Sequence, residues 1–281
     1  MTVIQWYPGH MAKALRQVKE NLNAVDIVLE LVDARLPESS RNPQLEELLQ
    51  NKKSIIVLTK MDLADPKLTR EWIAYYEQNG HPAIAVNSNQ GTLPAIEKKI
   101  KEVLKEKIAA KEARGIKNSR IKAMCIGIPN VGKSTLLNRL VKKNVAIVGN
   151  KPGVTKAQQW LKAGSSLLLL DTPGILWPKF EDQQVGLKLA LLGSVKDQVV
   201  NMDDLALFAC EYLMQEKTEI FDTVYHVKIA DTPYETLQNI AIKRGYLLKG
   251  EIDENRLMLS FVKDIRENKC GLITWEKPHV G

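Results

Sequence analysis

Lys133 and Ser134 end the stretch GIPNVGKS, residues 127–134, in which four residues separate a glycine from a Gly-Lys-Ser triplet. That spacing is the pattern of a phosphate-binding loop. Backbone N–H groups turn toward phosphate oxygens, and the positive end of the following helix backs them. Gly127 and Gly132 permit close backbone approach. The candidate phosphate ligands are Asn130, Val131, Gly132, Lys133, Ser134 and Thr135. Lys133 reaches toward the β- and γ-phosphates, a catalytic as well as a binding position, and the Ser134 hydroxyl is a candidate Mg²⁺ ligand. The alternative is a chance glycine–lysine turn. The apolar run before the loop and the helical pattern STLLNRLVKK after it weigh against that. The loop specifies a nucleoside triphosphate and leaves the base open.

Two later stretches complete a hydrolase. DTPG, residues 171–174, ends the apolar run SLLLL, so Asp171 stands at a strand tip where it can organise Mg²⁺ through water. Gly174 is placed to donate its N–H to the γ-phosphate. In NKPGVTKAQQW, Thr155 occupies a Pro-Gly turn and is a third candidate for the metal shell. DTPG alone is weak; at this distance behind a full phosphate loop it is strong.

The base is read elsewhere. In GTPases an Asn/Thr-Lys-x-Asp motif presents a carboxylate to the guanine ring N–H and amino group, and the lysine stem packs along the base. TKMD supplies Thr59, Lys60 and Asp62 directly after an apolar run. The next apolar run ends in VNSNQG, where Asn87 and Ser88 are candidates to reach guanine, Ser88 through its N–H to O6. Either stretch taken alone could be an ordinary polar loop. Both lie before the phosphate loop, whereas the usual order puts the base motif about a hundred residues after it. The order is that of a circularly permuted GTPase, permissible because sheet contacts depend on strand adjacency and chain ends lie at the surface.

The elements that must position these residues alternate. DIVLELVDARLP, SIIVL (54–58), AIAV (83–86) and AMCIGI are short apolar runs expected as buried parallel strands. Between them lie helical patterns: AKALRQVKENLNAV, RNPQLEELLQ with Asn42 as cap and Pro43 in the first turn, LTREWIAYYEQNG stopping at Gly80, and a lysine-rich helix over 94–113. The expected class is α/β, a circularly permuted P-loop GTPase domain with a mainly parallel sheet over residues 1–180. Residues 181–281 show helical periodicity with few strand signals and are expected to form a small all-helical, RNA-binding domain, with Leu205, Phe208, Leu237, Ile240 and Phe261 in its core.

Composition narrows the class without deciding it. The 281 residues are 44% hydrophobic, enough for a sizeable core. No apolar run is long enough to cross a bilayer, and the first residues lack the pattern of a secretory signal. Cys125, Cys210 and Cys270 have no paired spacing and suit buried thiols in a reducing cytoplasm. A net charge of +7 mildly favours a polyanionic partner. Lys98, Lys99, Lys101, Lys105, Lys107, Lys111, Arg114, Lys117, Arg120 and Lys122 crowd one segment, either to track RNA phosphates or as a solvated helix face. In the tail, Lys243, Arg244 and Lys249 flank a turn in which Tyr246 is available for base stacking.

WYPGHMAKA at residues 6–14 and DARLP at 33–37, followed by TKMD, GIPNVGKST, PGVT and DTPG in this order, resemble the YlqF/RbgA family of circularly permuted bacterial GTPases. The similarity covers residues 1 to about 180, and a helical tail also suits the family. Thr59 departs from the commoner Asn and NSN from Ser-Ala-Lys, the second change bearing on base affinity. The resemblance implies a cytoplasmic GTPase that binds GTP and GDP, contacts ribosomal RNA of the large ribosomal subunit, and hydrolyses GTP at a late step of subunit assembly. The chain is expected to be monomeric when free. A GTPase acting outside subunit assembly and an RNA-binding scaffold with a regulatory nucleotide site are the alternatives.

Ile175 follows the DTPG glycine, where many GTPases carry a water-orienting glutamine, so the orienting group must come from elsewhere. His10 is the leading candidate because imidazole can hydrogen-bond water. By chemistry alone, catalysis and a role in a flexible arm or RNA contact are even; the resemblance favours catalysis. Asn130 matches the loop asparagine with which GTPases similar to Era and TrmE hold K⁺ beside the phosphates; alternatively it only stabilises the turn.

Overall fold

The computed structural model describes residues 9–87, 92–116, 119–141 and 159–279, with the backbone alone at His10 and Gln159. Strand β1 (Ile27–Asp33) is buried along its whole length, as a β-branched and leucine-rich run must be when both faces are covered. It pairs in parallel with β2 (Ser54–Thr59) on one side and β4 (Ile121–Gly127) on the other. With β3 (Ala83–Ala85), β5 (Gln159–Ala163) and β6 (Leu167–Asp171) the sheet order is β3-β2-β1-β4-β6-β5, and β5 is its antiparallel member.

The order explains how a permuted chain makes one sheet. From β1 the strands step outward to β2 and β3, and from β4 they step the other way to β6 and β5. The two halves of the sequence meet at the β1–β4 pair, where the winding reverses. Ligands of open parallel sheets sit outside the carboxyl ends of the strands at such a reversal. Asp33, Thr59, Gly127 and Asp171 all end their strands there.

Helices cover the sheet. In α1 (Gly9–Asn21) the buried face is Met11, Ala14 and Val18, with Leu15 half-buried. Ala12 is exposed, because Ala14 and Val18 four residues apart set the stripe. Asn42 caps α2 (Pro43–Leu49) by accepting from the Gln44 N–H, and Asp65 caps α3 (Pro66–Gln78). The lysine-rich helix is two helices, α4 (Thr92–Val103) and α5 (Lys105–Ala113). Leu104 is buried between them at φ −99°, ψ 13°. Its N–H bonds Ile100 O and its carbonyl accepts from Ile108, so Leu104 ties the two helices together. Helix α6 (Lys133–Val141) follows the phosphate loop.

The tail consists of α7 (Gln183–Leu191), α8 (Met202–Glu216), α9 (Glu219–Thr223), α10 (Pro233–Arg244) and α11 (Glu254–Arg266). A small hairpin, β7 (Leu247–Leu248) with β8 (Glu251–Ile252), interrupts it. Leu205, Leu237, Ile240 and Phe261 are buried in its core as expected, and Phe208 packs against them half-buried. The same apolar cluster continues through Trp177 and Phe180 to the sheet.

The chain then returns. Residues 273–276 run back across the base-reading half as a strap, fastened by polar bonds that sequence periodicity could not signal. Trp275 N–H donates to Arg35 O at 2.8 Å, and Trp72 Nε1 donates to Glu276 O at 3.2 Å. The buried Glu276 carboxylate accepts from the N–H groups of Glu38 (2.8 Å) and Ser39 (3.1 Å) and from the Ser39 hydroxyl. Lys188 of α7 stands 3.3 Å from the same carboxylate.

Candidate nucleotide site

The phosphate loop begins with a glycine because a neighbouring strand demands it. A Cβ on Gly127 would lie 2.7 Å from the Leu31 carbonyl of β1. Close approach at this position therefore serves the sheet. Asn130 (φ 60°) and Gly132 (φ 94°) then give the loop the mixed backbone handedness of anion-binding concavities. Helix α6 starts at Lys133, so its N-terminal turn lies directly behind the loop, with Ser134 half-buried and Thr135 exposed.

Lys133 is almost wholly buried, and its Nζ sits 2.7 Å from Asp171 Oδ1. The other carboxylate oxygen, Oδ2, is buried and has no hydrogen-bond partner among the described residues. A buried carboxylate oxygen left unsatisfied is costly unless something binds it. A hard divalent cation with its water shell is the partner such an oxygen suits, so the residues present fit Mg²⁺. Cys125, opposite Asp171 in the β4–β6 register, is no competitor for the metal: burial and the nearby carboxylate push its thiol up to about 12.

Gly174 rests on the loop itself. A Cβ there would fall 2.7 Å from the Cα and N of Pro129, so glycine alone allows this approach. The next residue turns inward: Ile175 N–H donates to Gly127 O at 3.1 Å and its carbonyl accepts from Asn42 Nδ2 at 2.9 Å. Ile175 and Leu176 are fully buried. The segment after DTPG is therefore core, which explains why it offers no group for water.

The base motif is built onto the phosphate loop. The Thr59 hydroxyl lies 2.5 Å from Val131 O and 2.9 Å from Val32 O, bridging loop and β1. Lys60, at φ 55°, sends its Nζ to the carbonyl of Asn130 at 2.7 Å and to Asp33 Oδ2 at 2.9 Å. Its stem passes 3.6 Å from where a Cβ on Gly132 would be, so lysine and loop glycine are in van der Waals reach. Asp62 lies in a 3₁₀ turn, Met61–Leu63, and is exposed, as a carboxylate offered to a base must be. Asn87 is half-buried after β3, and its carbonyl accepts from Thr92 Oγ1 at 2.7 Å. Ser88 and Thr155 lie outside the described residues, and of His10 only the backbone, at the start of α1, is described.

Asp33 and Arg35 were not among the expected site residues. DARLP stands at the tip of a fully buried, mostly apolar strand, and an acid there next to a neighbouring TKMD was the available signal. Asp33 receives Arg35 Nε (2.9 Å) and Nη2 (2.8 Å) as a fork, besides Lys60. Burial alone would raise its pKa, but the Arg35 and Lys60 charges overcome that and hold it well below the ordinary 3.8.

The tail's expected nucleic-acid residues are partly engaged. Arg244 pairs with Asp264 at 2.6 Å and lies over the Tyr225 ring, and Arg256 covers one face of Tyr246 at 4.4 Å. Tyr246 is half-buried and bonded to Ser260 Oγ, so a stacking role has at most the other face of the ring. Lys243 and Lys249 are exposed. In the basic segment, Lys99, Lys107 and Lys111 pair with Glu77 or Asp26.

A parallel sheet whose winding reverses beside a phosphate loop, with the base motif ahead of that loop in sequence and packed on it in space, defines a circularly permuted P-loop GTPase. The profile of a family described as "50S ribosome-binding GTPase" matches residues 122–239, from β4 onward, leaving out the base-reading strands. "Ribosome biogenesis GTPase A" of Bacillus pumilus is 50% identical over 280 residues, covering 98% of this chain and 99% of that one. A GNP-bound YlqF from T. maritima (TM-score 0.65, 26% identity) and a GDP-bound YlqF (TM-score 0.67, 26% identity) each match over 99% of their own length, covering 95% and 94% of this chain. The chain belongs to the ribosome biogenesis GTPase A family, and it is a GTP hydrolase.

Proposed function

We propose that this GTPase binds the immature large ribosomal subunit through its rRNA and couples GTP hydrolysis to a late step of that subunit's assembly. The relatives' names and the profile description support the partner. The observation that carries the nucleotide side is Lys60 Nζ on the Asn130 carbonyl, which joins base motif and phosphate loop into one site.

In this assignment Asn130, Val131, Gly132, Lys133, Ser134, Thr135 and Gly174 hold the phosphates, and Thr59, Lys60, Asp62, Asn87 and Ser88 form the guanine side. Ser134 and Thr155 bind Mg²⁺ directly and Asp171 through water. Held there, Mg²⁺ would neutralise phosphate charge, and Lys133 would leave Asp171 for the phosphates. His10 orients the attacking water, because Ile175 and Leu176, directly after Gly174, are buried apolar side chains. Asn130 holds K⁺ through its side-chain oxygen; its Nδ2 lies 3.4 Å from Gly193 O, which leaves that oxygen unused by this contact. Residues 1–180 act as the catalytic unit and 181–281 as the RNA-binding unit, working in the cytoplasm as a monomer when free.

The test is GTP hydrolysis with and without purified large subunits, together with nucleotide-dependent co-sedimentation. Stimulation of turnover and GTP-dependent binding are expected. Turnover that ignores the subunit removes the assembly role, and absence of turnover leaves a scaffold.

A further inference from the structure

We propose that Asp33 is a positioning residue for the base site: it holds Lys60 against the phosphate loop and so keeps the Asp62 carboxylate free for guanine. The inference rests on the proposal that TKMD reads guanine, and goes beyond it by naming what orients that motif.

The β1–β2 register sets the geometry. Asp33 is the direct partner of Thr59, so the residue after Thr59 emerges beside the Asp33 carboxylate. Lys60 is held there in the left-handed region, an unfavourable conformation for a residue with a Cβ. Its Nζ then has two partners on the same side, Asp33 Oδ2 and Asn130 O, at 2.9 and 2.7 Å. Asp62 is two residues further on and lies within electrostatic range of both Lys60 and Arg35. Besides Asp33, Asp62 is the carboxylate that acts on both cations, so without the Asp33 charge both are left to it. A Lys60–Asp62 or Arg35–Asp62 pair would occupy the acceptor oxygens that guanine needs. Asp33 prevents it by engaging both cations, with Arg35 as a two-point fork and Lys60 as a single point. The Arg35 carbonyl is in turn tied down by Trp275 N–H of the returning strap, which fixes the turn that carries the arginine.

The experiment measures GDP, IDP and ADP binding by the full chain for wild type, Asp33→Asn, Lys60→Met, the double variant and Asp62→Asn. IDP lacks the exocyclic amino group. Wild-type preference for GDP, lost in Asp62→Asn, establishes the guanine reading by itself; its absence sinks that reading and this inference with it. Given that preference, Asp33→Asn is expected to weaken GDP about tenfold and to narrow the GDP/IDP ratio, and to cost less when Lys60 is already methionine, because only Arg35 is then released toward Asp62. Equal losses in both backgrounds, or an unchanged GDP/IDP ratio, would show that Asp33 serves only the fold and would overturn the proposal. If Asp33→Asn does not fold, the partly exposed Lys60 carries the test. Lys60→Met must lose GDP affinity and narrow the GDP/IDP ratio, and Lys60→Arg, which can still reach Asp33, must lose less than Lys60→Met. A Lys60→Met protein that binds GDP like wild type leaves Asp33 nothing to position.

Discussion

Lys133 Nζ and Asp171 Oδ1 lie 2.7 Å apart, with the two side chains 5% and 0% exposed. The lysine and carboxylate proposed for the phosphates and the metal thus pair with each other in the structure, and on the proposed function phosphates and Mg²⁺ would replace that pairing. Breaking a buried pair on one side costs about 3–5 kcal/mol, because the partner is left charged and alone. Asp171→Asn should lower the urea midpoint accordingly and abolish the Mg²⁺ dependence of GTP binding. A variant that keeps wild-type Mg²⁺ dependence would remove Asp171 from the metal site.

The strap depends on one carboxylate. Glu276→Ala leaves the N–H groups of Glu38 and Ser39 without their acceptor, at about 1–3 kcal/mol for the buried Ser39 donor. The expected result is a destabilised protein whose C-terminal residues are cut early by protease. Glu276→Gln should be milder, since it retains an acceptor oxygen. Equal proteolysis of wild type and Glu276→Ala would mean that the strap is not what fastens the tail.

Acid should act on the base-reading half. Asp33 has a folded pKa below its ordinary 3.8, held down by Arg35 and Lys60 against the effect of burial. Such a depressed carboxylate contributes stability above its unfolded pKa, and loses it as pH falls through the folded one. Stability from this group should be flat between pH 7 and about pH 5 and decline below about pH 4. Asp33→Asn should flatten that acid limb in denaturant titrations from pH 5 to 2; an unaltered slope would contradict the linkage.

His10→Ala should slow GTP hydrolysis by about 10²-fold or more, a typical loss for a positioned catalytic group, while GTP affinity stays nearly intact. Single-turnover rates and equilibrium binding separate the two effects. Unchanged turnover would take His10 out of the mechanism.

Replacing K⁺ by Na⁺ should lower hydrolysis, with and without large subunits, if the Asn130 oxygen holds the ion. Asn130→Ala should remove the difference between the two salts. Identical rates in both salts for wild type would leave Asn130 as a turn residue, a role its φ of 60° already suits.

What could be read from the chain was whatever depends on local spacing. Four residues between Gly127 and Gly-Lys-Ser, an acid at the end of SLLLL and TKMD after SIIVL name their chemistry without a structure, because each motif needs only a strand tip and a turn. Their order along the chain was equally legible, and it alone implied the permuted sheet. Leu104 defeated the reading of one long helix because a break at a buried apolar residue leaves no mark in periodicity. Tyr246 looked free for stacking because nothing local announces that Arg256, ten residues on, covers its face.

Tertiary structure decided everything that joins distant segments. The partner of Lys60 is set by the register of β1 on β2, and the need for glycine at 174 by the Pro129 backbone. Glu276 is buried against Ser39, which lies 237 residues earlier. A side chain's type and its neighbours in sequence determine which bonds it can make. Which ones it does make is decided by the strands and loops that packing brings beside it.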